Sequence, residues 1–204
     1  MVLWNAAPFL DACLAPLRDS PTAMEVLCID NASTDGSADR AEALGAEVER
    51  ASENLGFPTA VNRLLPRCRA GLTLLLNPDV ALAPGALEAA IEALDQPGVG
   101  MVGINLLRPD GRPDAPAARR FRRVGSMLDE ALGLPLLWRR LDLQHLPSWD
   151  RTTSRAVPCI NGAFMLLPTA TLREVGGLDE SVFLYLEDQE LCRALEARGE
   201  QIWF

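Results

Sequence analysis

Three acidic clusters lie far apart in the chain, and each marks a place where one local pattern gives way to another. Asp30-Asn31 closes the apolar run "MEVLCIDN" (residues 24–31), Asp79 follows the leucines of "LTLLLNPDVAL" (residues 72–82), and Glu187-Asp188 follows "VFLYL" (residues 182–186). Pro78 cannot extend a central strand and biases Asn77 toward an extended backbone, so the leucine strand stops there and leaves Asp79 just past its carboxyl end. Open α/β sheets keep their ligands at such ends. Ionised carboxylates only accept hydrogen bonds, which suits them to binding cations or taking protons. Each cluster also has an ordinary structural use. "NPD" is common turn chemistry, Asp30 can cap the turn over "STDG", and acids in a helix's first turn gain about 0.3–1 kcal/mol from the dipole.

The elements that must position these groups follow from the pattern. "MEVLCIDN" reads as a strand, "ADRAEALG" as a short helix stopped by Gly45, and "AEVERA" as the next strand. Pro58 opens a helix with Val61, Leu64, Leu65 and Cys68 at helical spacing, and Pro84 opens another with Leu87, Ala90, Ile91 and Leu94 on one face. "GVGMVGINLL" (residues 98–107) is a further buried strand, and "CINGAFMLL" (residues 159–167) reads as one strand. "PTATLREVGG" and "EDQELCRALEARG" are helices, and "QIWF" closes the chain as a strand. "MVLWN" and "QIWF" each look like only part of a strand. The alternation predicts an α/β fold with a mostly parallel sheet and helices on both faces.

Composition narrows the function classes. With 204 residues, 49% of them hydrophobic and 23% charged, the chain can bury a substantial core. No apolar stretch approaches the roughly 18–20 residues that span a membrane, and the amino terminus lacks a basic lead, so the expectation is a cytoplasmic protein. A net charge of −9 argues against a nucleic-acid partner. The five cysteines are scattered and never spaced as CxxC, which points to small core residues rather than disulfides or zinc ligands. Every basic residue is arginine, and many crowd into "RPDGRPDAPAARRFRR" (residues 108–123) and "WRR" (residues 138–140), a solvated loop or a surface for phosphate or anionic lipid.

Four segments, "VLCIDNASTDGS", "ENLGFPTAVN", "LLLNPDV" and residues 161–199, resemble in order and spacing the inverting family 2 glycosyltransferases of GT-A fold, in particular their rhamnosyltransferase-like branch. The resemblance covers nearly all of the chain except about residues 108–157. It implies one GT-A domain over residues 1–204, with a nucleotide-sugar-binding half (1–107) and an acceptor-side half (108–204). It implies that Asp30, with Asn31 beside it, contacts the nucleotide base, and that "NPD" is a variant of the DxD motif placing Asp79 on Mg²⁺ or Mn²⁺. Such an ion neutralises charge developing on the leaving nucleoside diphosphate. Asn77 stands where the full motif has its first acid, so metal affinity rests more on the substrate's phosphates.

By the same resemblance Asp188 is the general base for the acceptor hydroxyl, and Glu187 contacts acceptor or sugar. Gly162 in "NGAF" brings backbone close to the sugar, and Asn54 and Asn62 match an N-x-G…N pattern with Asn62 facing the nucleotide. Arg193 either holds the acidic pair or approaches phosphate. The implied partners are a nucleotide-sugar donor (dTDP-rhamnose or a UDP-sugar) and a glycan or lipid-linked acceptor; the leucines and Trp138 beside the arginines of residues 108–157 suggest a lipid-linked one, met at the inner face of a membrane. His145 reads as a surface or packing residue. The rival readings are a catalytically weak nucleotide-binding fragment of such an enzyme and a nucleotidyltransferase, although the latter's glycine-rich phosphate loop is not seen.

Overall fold

A computed structural model of the chain describes residues 1–108, 111–112, 117–119, 121 and 153–204. Strand β1 (Val2–Leu3) leads through helix α1 (Leu10–Arg18) to β2 (Leu27–Asp30), α2 (Ser37–Ala43) and β3 (Glu47–Arg50). These strands form a parallel sheet in the order β1-β2-β3. Helix α1 has no counterpart in the sequence reading. Pro16 falls in the last turns of α1, where only one hydrogen bond, to the carbonyl four residues back, is lost.

Helix α3 (Phe57–Leu64) and β4 (Leu72–Leu76) follow, then α4 (Ala86–Leu94) and β5 (Val99–Val102). After β6 (Ala118–Arg119) and β7 (Cys159–Ile160), the chain forms β8 (Phe164–Pro168), α5 (Thr169–Glu174), α6 (Glu187–Ala197) and β9 (Gln201–Trp203). The predicted single strand over residues 159–167 is thus two strands broken at Asn161-Gly162-Ala163, and β7 pairs with β6 in a separate ribbon. The second sheet has the order β4-β8-β5-β9, and β8 runs antiparallel to both β4 and β5. Direction is a non-local property. β8 enters from β7 through a tight turn instead of a crossover helix, so it can run backwards.

Strand β8 is apolar on both faces because both are covered. Met165 and Leu167 join the core with α3, α5 and α6, while Phe164 and Leu166 join that of α1, α2 and α4. In β4, Leu75 faces the first of these cores and Leu76 the second. The two sheets share no ladder among the described residues. Between β2 and β4 lies an apolar cavity of about 370 Å³, walled by Leu27, Leu74 and Leu76 from the strands and by Val61 and Ile91 from the helices above and below. The Gly71 carbonyl accepts from the Thr169 amide just after β8, and the Asn77 amide donates to the Ala163 carbonyl in the turn before it. By antiparallel alternation, the backbone groups of Leu72, Leu74 and Leu76 point away from β8, and Leu74 and Leu76 line the cavity.

Candidate functional site

The first corner of the site is the carboxyl end of β2. Asp30 Oδ2 accepts from the Ser33 amide at 3.1 Å, and the Asn31 side-chain amide donates to the Gly56 carbonyl at 3.3 Å. The remaining oxygens, Asp30 Oδ1 and Asn31 Oδ1, are buried with no hydrogen-bond partner. Two orphaned acceptors side by side are costly unless a donor arrives. Asn54 Oδ1 accepts from the Gly56 amide at 3.0 Å and closes the turn that precedes α3. Gly56 adopts φ 79°, ψ 167°, a region essentially restricted to glycine, and a Cβ there would stand 2.7 Å from the Phe183 carbonyl oxygen. That carbonyl accepts from the Phe57 amide at 3.0 Å, tying the first corner to the loop before α6.

The second corner is the start of α6. Tyr185 and Leu186 have φ 69° and 76°, and Ala32 beside Asn31 has φ 60°. Such left-handed non-glycine residues cost of order 1–3 kcal/mol each and concentrate at functional sites. Here three of the four among the described residues flank the two acidic corners. The fourth, Asn5, donates its amide to Ser33 and accepts from Thr34 on the loop after β2. Glu187 and Asp188 are 7% and 5% exposed. Asp188 Oδ2 accepts from Arg119 Nη2 at 2.5 Å and from the Gly162 amide at 3.2 Å, while Asp188 Oδ1 and Glu187 Oε2 are buried without partners. Burial pushes the Glu187 carboxyl above its ordinary range, and the adjacent Asp188 charge pushes the same way.

The third corner is the carboxyl end of β4. Because β8 is reversed, its beginning meets the end of β4, and the Asn77 amide donates to the Ala163 carbonyl at 3.0 Å. The Asn77 carbonyl also receives a weak bond from the Cys13 thiol at 3.6 Å. Asp79 is exposed just beyond. Asn77, Asp79, Asn161, Ala163 and Tyr185 line a cleft of about 940 Å³. No group of three histidine, cysteine or acidic side chains among the described residues is placed to hold a metal ion. Asp79 offers one exposed carboxylate, which suits an ion that arrives on a diphosphate, as Mg²⁺ commonly does.

Hydrogen bonds through Gly56, Phe183 and Ala163 thus connect the segments that carry Asp30, Asn31, Asn77, Gly162, Glu187 and Asp188, and Asp79 lies just past Asn77. Other candidates have different work. Asn62 Nδ2 donates to the Leu178 carbonyl and to Glu180 Oε1, both at 2.8 Å, and Asn62 Oδ1 accepts from the Leu178 amide at 2.8 Å, so its amide clamps the loop after α5. Asn54 is an exposed turn residue. Arg193 turns outward, pairing with Glu190 at 2.6 Å and lying over the Phe121 ring at 5.1 Å, and the arginine on Asp188 is Arg119 instead. No sequence periodicity singles out Arg119 among its arginine neighbours. A Cβ on Gly162 would meet Asp188 Cβ and Glu187 Oε1 at 3.6 Å, so this glycine lies against the acidic pair. His145, Trp138 to Arg140, and Arg120, Arg122 and Arg123 lie outside the described residues. No described helix is long and apolar enough to cross a membrane.

Comparison with known proteins bears on the family and the fold. The chain is 29% identical over 215 aligned positions to the N-acetylglucosaminyl-diphospho-decaprenol L-rhamnosyltransferase of Mycobacterium tuberculosis, covering 97% of this chain and 69% of that protein. Among solved structures it superposes on a mannosyltransferase from Pyrobaculum calidifontis in complex with GDP-Man and Mn²⁺ (TM-score 0.69, 19% identity, 98% of this chain). It also superposes on S. aureus TarS in complex with UDP-GlcNAc (TM-score 0.64, 16% identity, 99% of this chain). The chain spans about half of each of these solved chains, 52% and 53%. The sequence model of glycosyl transferase family 2 matches residues 1–151. The chain therefore belongs to the family 2 glycosyltransferases, with the GT-A fold and a rhamnosyltransferase-like sequence.

Proposed function

We propose that the chain moves a sugar, with inversion, from a dTDP-rhamnose or UDP-sugar donor to a hydroxyl of a glycan or lipid-linked acceptor. Residues 1–107 supply most of the donor side and residues 108–204 the acceptor side, within one domain. The observation that carries this reading is Asp188 Oδ1, an unpartnered carboxylate oxygen buried between the Gly162 turn and α6, three residues from the cleft-lining Tyr185. In the reaction this oxygen takes the acceptor's hydroxyl proton. The acceptor oxygen bonds to the anomeric carbon as the bond from that carbon to the diphosphate breaks, and the electron pair leaves on the diphosphate.

The orphaned oxygens of Asp30 and Asn31 suit the ring N–H of uracil or thymine. Asp79, with Asn77 behind it, would hold Mg²⁺ or Mn²⁺ carried in on the donor, and such an ion supplies neutralisation of the leaving group's charge. Glu187 lies beside the base with one oxygen unpartnered, facing acceptor or sugar. The rhamnosyltransferase relative is named for a decaprenol-linked substrate, which supports a lipid-linked acceptor. The test is turnover of dTDP-rhamnose and UDP-sugars with Mn²⁺ before and after Asp188→Asn. Loss of turnover with retained UDP or dTDP binding is expected, and unchanged turnover would remove Asp188 from the base role. Nucleotide binding without turnover in the wild type would favour the weak-fragment reading.

A further inference from the structure

The base reading leaves one buried cation unused. Arg119 sits on the two-stranded ribbon, where it pairs in register with Cys159 of β7, and its guanidinium reaches across to α6. Its side chain is 20% exposed against 7% for Asp188, so the ion pair is largely shielded from water, and Arg119 Nε has no partner. A pair this sheltered is costly to assemble, and removing one member leaves an uncompensated charge. Both donors to Asp188, the guanidinium and the Gly162 amide, fall on the same oxygen, Oδ2. The carboxylate is thus held by one oxygen, and the other is left bare.

We propose that Arg119 is a positioning residue for Asp188, anchoring Oδ2 so that Oδ1 alone meets the acceptor hydroxyl. This rests on the reading of Asp188 as the base and adds to it which oxygen acts and what orients it. Glu187 on the same helix, Cys159 from β7 and Cys192 one turn along α6 also lie close enough to the carboxylate to feel its charge. Arg119 is the only cationic side chain among the described residues placed to oppose that charge, since Arg193 is turned toward Glu190. Without it, Asp188 Oδ2 keeps only the Gly162 amide, and the buried carboxylate loses its opposite charge.

The test compares wild type with Arg119→Gln and Arg119→Lys, each verified as folded by thermal unfolding. Two readouts are used: the pH profile of dTDP-rhamnose hydrolysis with Mn²⁺, and ¹³C NMR titration of the Asp188 carboxyl, assigned by its absence in Asp188→Asn. The expectation is a kcat loss of more than tenfold at pH 7 with donor KM within about threefold. The acid limb and the carboxyl titration should both move upward by roughly one to three pH units in Arg119→Gln and by less in Arg119→Lys. If Arg119→Gln does not fold, the Lys variant's titration alone decides the matter. A folded variant whose carboxyl titrates as in wild type, or whose kcat falls equally at all pH values, overturns the proposal. Unchanged turnover in Asp188→Asn would instead overturn the base reading, so the two failures are separable.

Discussion

Replacing Asn62 with alanine separates two meanings of one residue. If Asn62 met the nucleotide, as its place in the N-x-G…N pattern suggests, the variant would fold normally and lose affinity. In the structure its amide holds both backbone groups of Leu178, at 2.8 Å each, and Leu178 is buried. Alanine leaves that N–H and C=O without partners, and each orphaned group costs roughly 1–3 kcal/mol. The third bond goes to Glu180 at the surface and adds little. A loss of about 3 kcal/mol is expected, which for a chain of this size lowers Tm by roughly 6–12 °C. Urea unfolding and calorimetric titration with UDP and dTDP read the two quantities. The expected result is the stability loss with nucleotide Kd within about twofold. Unchanged stability with Kd weakened tenfold or more would refute the clamp.

Gly56→Ala must force a Cβ to within 2.7 Å of the Phe183 carbonyl oxygen at a glycine-only backbone angle, so a loss of about 2–6 kcal/mol is expected in denaturant unfolding. A loss under about 0.5 kcal/mol would show that the α3 start and the loop before α6 are not in contact. The Glu187 carboxyl, raised by burial, binds its proton more tightly folded than unfolded, so its stabilising contribution is present at low pH and lost as pH rises through the folded value. Glu187→Gln should therefore be more stable than wild type above about pH 5, with the difference vanishing below about pH 4; the opposite trend in pH-dependent Tm would contradict this. Burial pushes the Cys13 thiol up to about 12, and Cys28, Cys159 and Cys192 are likewise buried. A thiol reagent at pH 8 should label only Cys68 in the native protein and all five cysteines after denaturation, as mass spectrometry would show.

What could be read in advance depended on how local its cause was. The stop of β4 before Asn77 follows from Pro78 alone, and the helical faces of α3 and α4 follow from spacing within a few turns. The acidic corners were visible for the same reason, since each stands at a boundary that its own neighbours define. The reversal of β8 depends on partners about ninety residues away in sequence, as between Leu75 and Met165, and no periodicity records it. Arg119 and Arg193 show the same limit in the site. Both are arginines in arginine-containing stretches, and only the pairing of β6 with β7 sends the first toward Asp188, while a helical i,i+3 neighbour takes the second away. Asn62 was legible as a helix residue, but what its amide meets lies 116 residues further along the chain.

The cavity between β2 and β4 gives the molecule a mechanical weak seam. Leu74 and Leu76 turn backbone groups toward a partly open space of about 370 Å³ that is lined mainly by aliphatic side chains, so the packing across it is thin. Hydrostatic pressure acts on such voids, because unfolding eliminates them and shrinks the system. Compression should therefore open this seam before it disturbs the reversed strand beside it.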